Sequence, residues 1–179
     1  MKDYFLKMRG GAKSPPRTGF EEVVWSWTGS AIGIGICGYL SSTFFEIRDV
    51  TLLIGSFGAS AVLVYGAVKS PLAQPRNLLG GHIISGIVGV ACYRWCGEPT
   101  WVAAALAVSL AITAMLITRT LHPPGGATAL IAVIGGNKVQ ELGFLYPFLP
   151  VGLGALILLI VGLLVNNLSR HRRYPEYWL

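Results

Sequence analysis

Apolar residues along the chain gather into runs separated by short segments rich in charge, proline and glycine. The first run, residues 23–40, opens with Trp25 and Trp27, aromatic residues of the kind that favour the headgroup level. It contains Gly29, Gly33, Gly35 and Gly38, a spacing that lets another helix approach closely. The second run, 50–68, leads into residues 69–77, where Pro71 and Pro75 lie between Lys69 and Arg76 and predict a connecting loop. A third run extends from 78 to about 93. The fourth, 101–118, carries no charge, proline or glycine and is the cleanest span. The fifth lies between Pro123-Pro124 and Gly135-Gly136, leaving about eleven residues, or roughly 16 Å of helix, half of a hydrocarbon core of about 30 Å. The sixth, 147–165, ends in Asn166-Asn167 and the basic cluster Arg170-His171-Arg172-Arg173. The pattern predicts an all-α polytopic membrane protein of about six transmembrane or half-membrane helices. Four full crossings with two apolar segments lying shallow or re-entrant give the same parity.

Composition agrees. The 179 residues are 53% hydrophobic and 12% charged, against about 25% charged in soluble domains. Fourteen Lys and Arg against eight Asp and Glu leave +6, a balance that in a soluble protein would suggest nucleic acid. In so apolar a chain it instead predicts orientation, with the lipid bilayer and not nucleic acid as the partner. Eleven cations (Lys2, Lys7, Arg9, Lys13, Arg17, Lys69, Arg76, Arg119, Arg170, Arg172 and Arg173) fall on one side of a six-crossing arrangement, and Arg48, Arg94 and Lys138 on the other. The excess predicts both termini inside, with the clusters facing anionic lipid as topology signals. Residues 1–22 then form a basic cytoplasmic segment, 23–169 the transmembrane domain and 170–179 a basic and aromatic cytoplasmic tail. The N-terminal stretch is polar, basic and broken by Pro15-Pro16, unlike a signal peptide. Three cysteines, Cys37, Cys92 and Cys96, imply no disulfide framework, and Cys92 and Cys96 have no further ligands at zinc spacing.

Gly58-Ala59-Ser60-Ala61-Val62-Leu63 in the second run is echoed by Gly126-Ala127-Thr128-Ala129-Leu130-Ile131 in the fifth. Three spans separate the two, so they run in opposite directions, as in a 3+3 inverted-topology repeat. If the Gly-rich N-terminal ends of two short helices enter from opposite faces, their free N–H groups converge near the midplane and attract a small anion. Gly58, Gly125 and Gly126 would let it approach the backbone, and Ser60 and Thr128 would donate hydroxyl hydrogen bonds. Close helix packing by small residues explains the same motifs. Pro123 restricts His122 to an extended backbone, and Pro123-Pro124 makes a rigid helix entrance. His122 is equally readable as a structural cap or as a contact to substrate, with Arg119 about one turn earlier supplying charge.

The stretch 122–130, His-Pro-Pro-Gly-Gly-Ala-Thr-Ala-Leu, resembles the signature of the HPP family of integral membrane proteins. Gly55-Ser56-Phe57-Gly58-Ala59-Ser60-Ala61, residues 70–77, Gly80-Gly81-His82 and Arg172-Arg173-Tyr174-Pro175 are similar to further segments of that family. The resemblance covers nearly the whole chain beyond the basic N-terminal stretch. The family is usually described with four transmembrane helices and a transport role, and members from chloroplasts and cyanobacteria as nitrite transporters. What the resemblance implies here is a bacterial-type inner or plasma membrane, or a chloroplast envelope, and nitrite as the substrate candidate. That anion cannot enter hydrocarbon without heavy desolvation cost.

His82, beside Gly80-Gly81 at the start of the third run, faces either the pathway or backbone and headgroup partners. The spacing of His82 and His122 matches no metal or haem motif, so no cofactor is expected. Glu46, Asp49, Glu98 and Glu141 fall in outer loops, leaving no mid-membrane carboxylate as a proton relay. A channel, a uniporter, or a transporter in which a histidine or the protonated substrate carries the proton remain. An enzyme would need a nucleophile with a base or paired carboxylates at persuasive spacing, and none is legible. A noncatalytic scaffold using its glycine faces is the other alternative, and the same faces provide the means of homo-oligomerisation.

Overall fold

A computed structural model describes residues 2–8, 11–45, 53–96 and 100–179. Arg9, Glu46, Arg48, Asp49, Glu98 and the first residues of the second run lie outside them. The described residues are helical and contain no strand. A short α1 (Lys2–Lys7) precedes α2 (Phe20–Leu40), which continues through a π-type turn to Phe45. Then come α3 (Ser56–Ala61), prolonged by a π-type turn to Gly66, and a 3-10 turn at Pro71–Ala73. The remaining helices are α4 (Pro75–Cys96), α5 (Thr100–Ile117), α6 (Pro123–Ile134), α7 (Asn137–Leu142) and α8 (Leu153–Asn166).

Among the described residues, three stretches are long and apolar enough to cross a membrane: Phe20–Phe45, Thr100–Ile117 and Pro147–Asn166. With 22 residues, α4 reaches about 33 Å, and its glycines, His82 and Arg94 lower its hydropathy rather than its length. The apolar helices Ser56–Gly66 and Pro123–Ile134 are short, about 16–18 Å each. Four long helices and two short ones reconcile a six-run sequence with a four-helix description. One expectation changes: residues 75–77 are not loop. Pro75 takes the first helical position, where its missing N–H is not needed, and α4 starts there. Within 147–152, Leu149 is non-helical (φ −136°, ψ 110°) beside Pro150, so α8 proper begins at Leu153.

Small residues at intervals of four set the packing. On α5, Ala103, Ala107, Ala111 and Met115 form the buried face toward α4 and α6. Gly81, Ser85 and Gly89 do the same on α4. A Cβ at Gly89 would lie 2.5 Å from the Ala129 carbonyl oxygen and 2.8 Å from its Cα, so two backbones meet here with nothing between. In the other half, Gly29 and Gly33 of α2 receive the Tyr65 ring, whose hydroxyl donates to the Leu158 carbonyl at 3.0 Å. The large apolar side chains that remain exposed, among them Ile32, Val62, Leu110, Ile117, Ile160 and Leu164, point outward, as expected of lipid-facing positions.

Residue 60 lies beside residue 122 and residue 56 beside residue 128, so α3 and α6 overlap antiparallel. At the end of the bundle where α3 finishes, residues 15–18, 66–70 and 171–173 line one cleft of about 690 Å3. Arg172 is not a surface cation there. Its guanidinium is buried, donating to Glu22 Oε2 (3.0 and 2.8 Å), the Glu22 carbonyl (2.7 Å), Ser26 Oγ (2.9 Å), the Tyr65 carbonyl (3.1 Å) and Asn166 Oδ1 (3.0 Å). The tail then folds under the bundle, and the hydroxyl of Tyr174 donates to the Ala73 carbonyl at 2.8 Å.

Candidate functional site

Position 82 is seven residues into α4, on the face that packs against α3 and α6, and its imidazole is fully buried. His82 Nε2 lies 2.7 Å from Ser60 Oγ, and Nδ1 lies 2.7 Å from Thr128 Oγ1. The matching hydroxyls of the two echoed segments are therefore joined by a single imidazole. On its other side Ser60 Oγ meets His122 Nε2 at 2.9 Å, and His122 Nδ1 meets the Leu72 carbonyl at 2.8 Å. The two rings stand 5.0 Å apart, centroid to centroid, and the Phe57 ring meets His82 edge-on at 5.5 Å. Ser56 Oγ is 3.0 Å from Thr128 Oγ1, and the Tyr146 hydroxyl donates to the Thr128 carbonyl at 3.1 Å.

Local sequence explains each placement. The extended backbone imposed on His122 by Pro123 (φ −139°, ψ 105°) swings its ring back between α3 and the 70–74 loop. That loop is tied down in turn, Gln74 Nε2 donating to the carbonyls of Val68 (3.0 Å) and Ser70 (2.8 Å). Asn77 and Arg76, at the start of α4, donate to the carbonyls of Leu121 (2.8 Å) and Thr118 (2.9 Å) and hold the approach to α6. Gly81 and Gly125 leave room for α6 to reach α4: a Cβ at Gly81 would meet the Thr120 carbonyl at 2.8 Å, and one at Gly125 would meet Ser85 Oγ at 2.6 Å.

The structure thus brings together Ser60, His82, His122, Gly125 and Thr128, with Pro123 and Pro124 as the frame. Three of the expected residues stand apart. Gly58 is exposed. Gly126 lines an apolar cleft of about 520 Å3 between α5 and α6, with Val108, Ile112 and Leu130. Arg119 is exposed and serves as the left-handed residue (φ 57°) that ends α5, with the N–H of Thr120 returning to the Met115 carbonyl at 2.8 Å.

The start of α6 does not offer the expected free N–H groups. The first two residues of α6 are prolines with no N–H, and the N–H of Gly125 already donates to the His122 carbonyl at 2.8 Å. The antiparallel overlap sets the start of α3 beside Thr128 instead of tip to tip with α6. Imidazoles and hydroxyls, not backbone amides, furnish the polar surface.

Sequence reasoning passed over Ser56 and Ser85, though each was within reach: Ser56 is one turn before Ser60, and Ser85 follows His82 by three. The oxygen of Ser85 is the one buried side-chain N or O among the described residues with no hydrogen-bond partner. The Leu72 carbonyl carries no side-chain signal at all. No group of three or more His, Cys, Asp and Glu gathers among the described residues.

Comparison with known proteins gives the family. The HPP transmembrane region matches residues 15–175, nearly the whole chain. The chain belongs to the HPP family. It is an integral membrane protein of that family, 49% identical over 178 residues to one transmembrane protein of Dictyostelium discoideum, covering 98% of this chain and 57% of that one. It is 46% identical over 180 residues to another from the same organism, covering 98% of this chain and 63% of the relative. The chain thus spans about three-fifths of the length of the relatives it matches. No solved structure matches.

Proposed function

We propose that this chain carries a small inorganic anion across the membrane, with nitrite as the candidate substrate, and that Ser60, His82, His122 and Thr128 form the polar step on its path. One observation carries the reading: Ser60, His82, His122 and Thr128, from α3, α4 and the start of α6, meet side chain to side chain, each with no exposed surface, and two of the four are imidazoles. Polar and ionisable groups at membrane depth are costly, and where they occur they mark ion and substrate pathways. The pair of imidazoles can supply N–H donors and, when protonated, a positive charge to an anion that hydrocarbon rejects. The collection of Arg17, Lys69, His171 and Arg173 at one cleft supports an orientation with that end, and both termini, inside.

An enzyme is the second reading, since Ser60, His122 and the Leu72 carbonyl stand in the order of nucleophile, base and orienting acceptor. Against it, the group that orients His122 is a neutral main-chain carbonyl and not a carboxylate, so an imidazolium formed by taking the Ser60 proton gains no counter-charge. The test is uptake of nitrite, nitrate, formate and chloride into sealed vesicles carrying the purified protein, compared with protein-free vesicles. Protein-dependent uptake of at least one anion, lost in His82→Gln, is expected. Equal uptake in both kinds of vesicle overturns the transport reading.

A further inference from the structure

The four shortest contacts of the cluster, 2.7–2.9 Å, can all be hydrogen bonds in only one way when both rings are neutral, with the longer acceptors of the same hydroxyls, the Ser56 carbonyl for Ser60 (3.3 Å) and Ser56 Oγ (3.0 Å) or the Pro124 carbonyl (3.3 Å) for Thr128, left aside. The Leu72 carbonyl can only accept, so the hydrogen of His122 is on Nδ1, 2.8 Å away, and Nε2 is an acceptor. Ser60 Oγ, 2.9 Å from that nitrogen, donates to it. A hydroxyl has one hydrogen, so Ser60 must accept from its other neighbour, and His82 carries its hydrogen on Nε2. Nδ1 of His82 is then bare and accepts from Thr128, 2.7 Å away. Every donor in the series Thr128, His82, Ser60, His122 points the same way, and a main-chain carbonyl at one end dictates the order.

We propose that this series is a proton relay and that the anion carried at the site moves together with a proton. The coupling rests on the transport reading above; the relay does not. A proton added at Nδ1 of His82 gives an imidazolium. The Thr128 hydroxyl, losing its acceptor, turns to the Pro124 carbonyl, 3.3 Å away. The Nε2–H of His82 then passes to Ser60 Oγ while the hydroxyl hydrogen of Ser60 passes to Nε2 of His122. One N–H and one O–H bond break, one O–H and one N–H bond form, and Ser60 ends as it began. The positive charge moves from one ring to the other across 5.0 Å with no further reactant.

The surroundings leave the charge unopposed. No Asp, Glu or Lys occurs in α3, Pro71–Ala73, α4, α6 or Pro147–Gly152, the elements that meet at the cluster. Their titratable side chains other than the two histidines are Arg76, Cys92, Tyr93, Arg94 and Cys96, all on α4. The helices α5 and α8, packed against these, add none, and α2, packed on α3, adds Cys37, Tyr39 and the carboxylates Glu21 and Glu22, which face His171 and Arg172. Arg76 is spent on the Thr118 carbonyl, and Arg94 packs on the Phe144 ring, 5.4 Å from its centroid. The neighbouring Tyr65 and Tyr146 donate to main-chain carbonyls. An anion is therefore the natural counter-charge for the protonated pair.

The relay is tested by nitrogen NMR on the whole protein labelled at histidine, with signals assigned from His82→Gln and His122→Asn. At neutral pH the hydrogen is expected on Nε2 of His82 and on Nδ1 of His122. On acidification the two rings are expected to shift along one shared curve, which Ser60→Ala splits into two and Ser60→Thr restores. A hydrogen on Nδ1 of His82, or separate curves in the unaltered protein, overturns the relay. Coupling is read in vesicles loaded with a pH-sensitive dye, using nitrite and nitrate as probes and protein-free vesicles to subtract passive nitrous acid. Internal acidification in step with protein-dependent anion uptake, lost in Ser60→Ala, is expected. Uptake without proton movement overturns the coupling and leaves the transport reading standing. No uptake of any anion overturns transport and coupling together, and the relay is then decided by the NMR alone.

Discussion

Removing the Arg172 guanidinium separates two accounts of the C-terminal basic cluster. As an orientation signal, Arg172 needs only its charge, and lysine replaces it without loss. As a clamp, it needs its fork. The side chain is 2% exposed, and its three nitrogens reach α2, the end of the α3 segment and α8 at once. Truncation to alanine strands the Tyr65 carbonyl and Asn166 Oδ1 and leaves the Glu22 carboxylate without its cation. Losing one member of a fully buried ion pair costs about 3–5 kcal/mol. Glu22 is 40% exposed and can rehydrate, which places Arg172→Ala at the lower end, about 3 kcal/mol. For a chain of this size each kcal/mol moves Tm by about 2–4 °C, so a fall of roughly 6–12 °C is expected. Arg172→Lys, a single point donor in place of a planar fork, should lose about one charge-assisted hydrogen bond, roughly 1.5–3 kcal/mol. The buried thiols of Cys37 and Cys92 report unfolding in detergent through a thiol-reactive dye. Arg172→Lys melting with the parent, or Arg172→Ala within 2 °C of it by the conversion above, refutes the clamp.

Two other substitutions probe the frame. In Gly89→Ala the new Cβ, 2.5 Å from the Ala129 oxygen against an ordinary contact of at least 3.4 Å, forces α4 and α6 apart by about 0.9 Å. Since both obstructing atoms are main chain, the loss should be near the upper end of the 1–3 kcal/mol range for overpacking, about 3 kcal/mol, with anion uptake falling as the His82–Thr128 contact opens. An unchanged Tm shows that the helices accommodate it. Arg119→Gly removes a side chain from left-handed backbone that costs a non-glycine residue about 1 kcal/mol. It should raise Tm by a few degrees and leave uptake intact, whereas a large loss of uptake would restore to Arg119 a charge role on the path.

Much of the helical order is legible because a bilayer demands long apolar runs, and residues 101–118 meet that demand with no charge, proline or glycine. Residues 75–77 failed because a proline starts a helix as readily as it ends one. The Pro123-Pro124 pair reads as a rigid entrance, yet the same two residues remove donors that a converging-amide site requires. Ser60, Thr128 and His82 were each identified singly. Their meeting through one ring depends on antiparallel overlap of two short helices, a tertiary fact that no local spacing encodes. Arg172 read as a surface cation because a sequence shows charge and not burial. The Leu72 carbonyl, being main chain, has no signature of any kind.

The position of His82 along α4 also has an electrical meaning. Seven residues from Pro75, at 1.5 Å each, place its ring about 10 Å from that end of the helix, which is a third of the way through a core of about 30 Å if α4 enters the bilayer at Pro75. One elementary charge crossing the whole core exchanges about 2.3 kcal/mol per 100 mV, so a proton resting on this ring feels about 0.8 kcal/mol. Membrane potential alone would then change the protonated fraction about fourfold per 100 mV, since 1.4 kcal/mol corresponds to a factor of ten. Uptake measured at clamped potassium diffusion potentials should show that slope, and a flat voltage response would place the proton elsewhere.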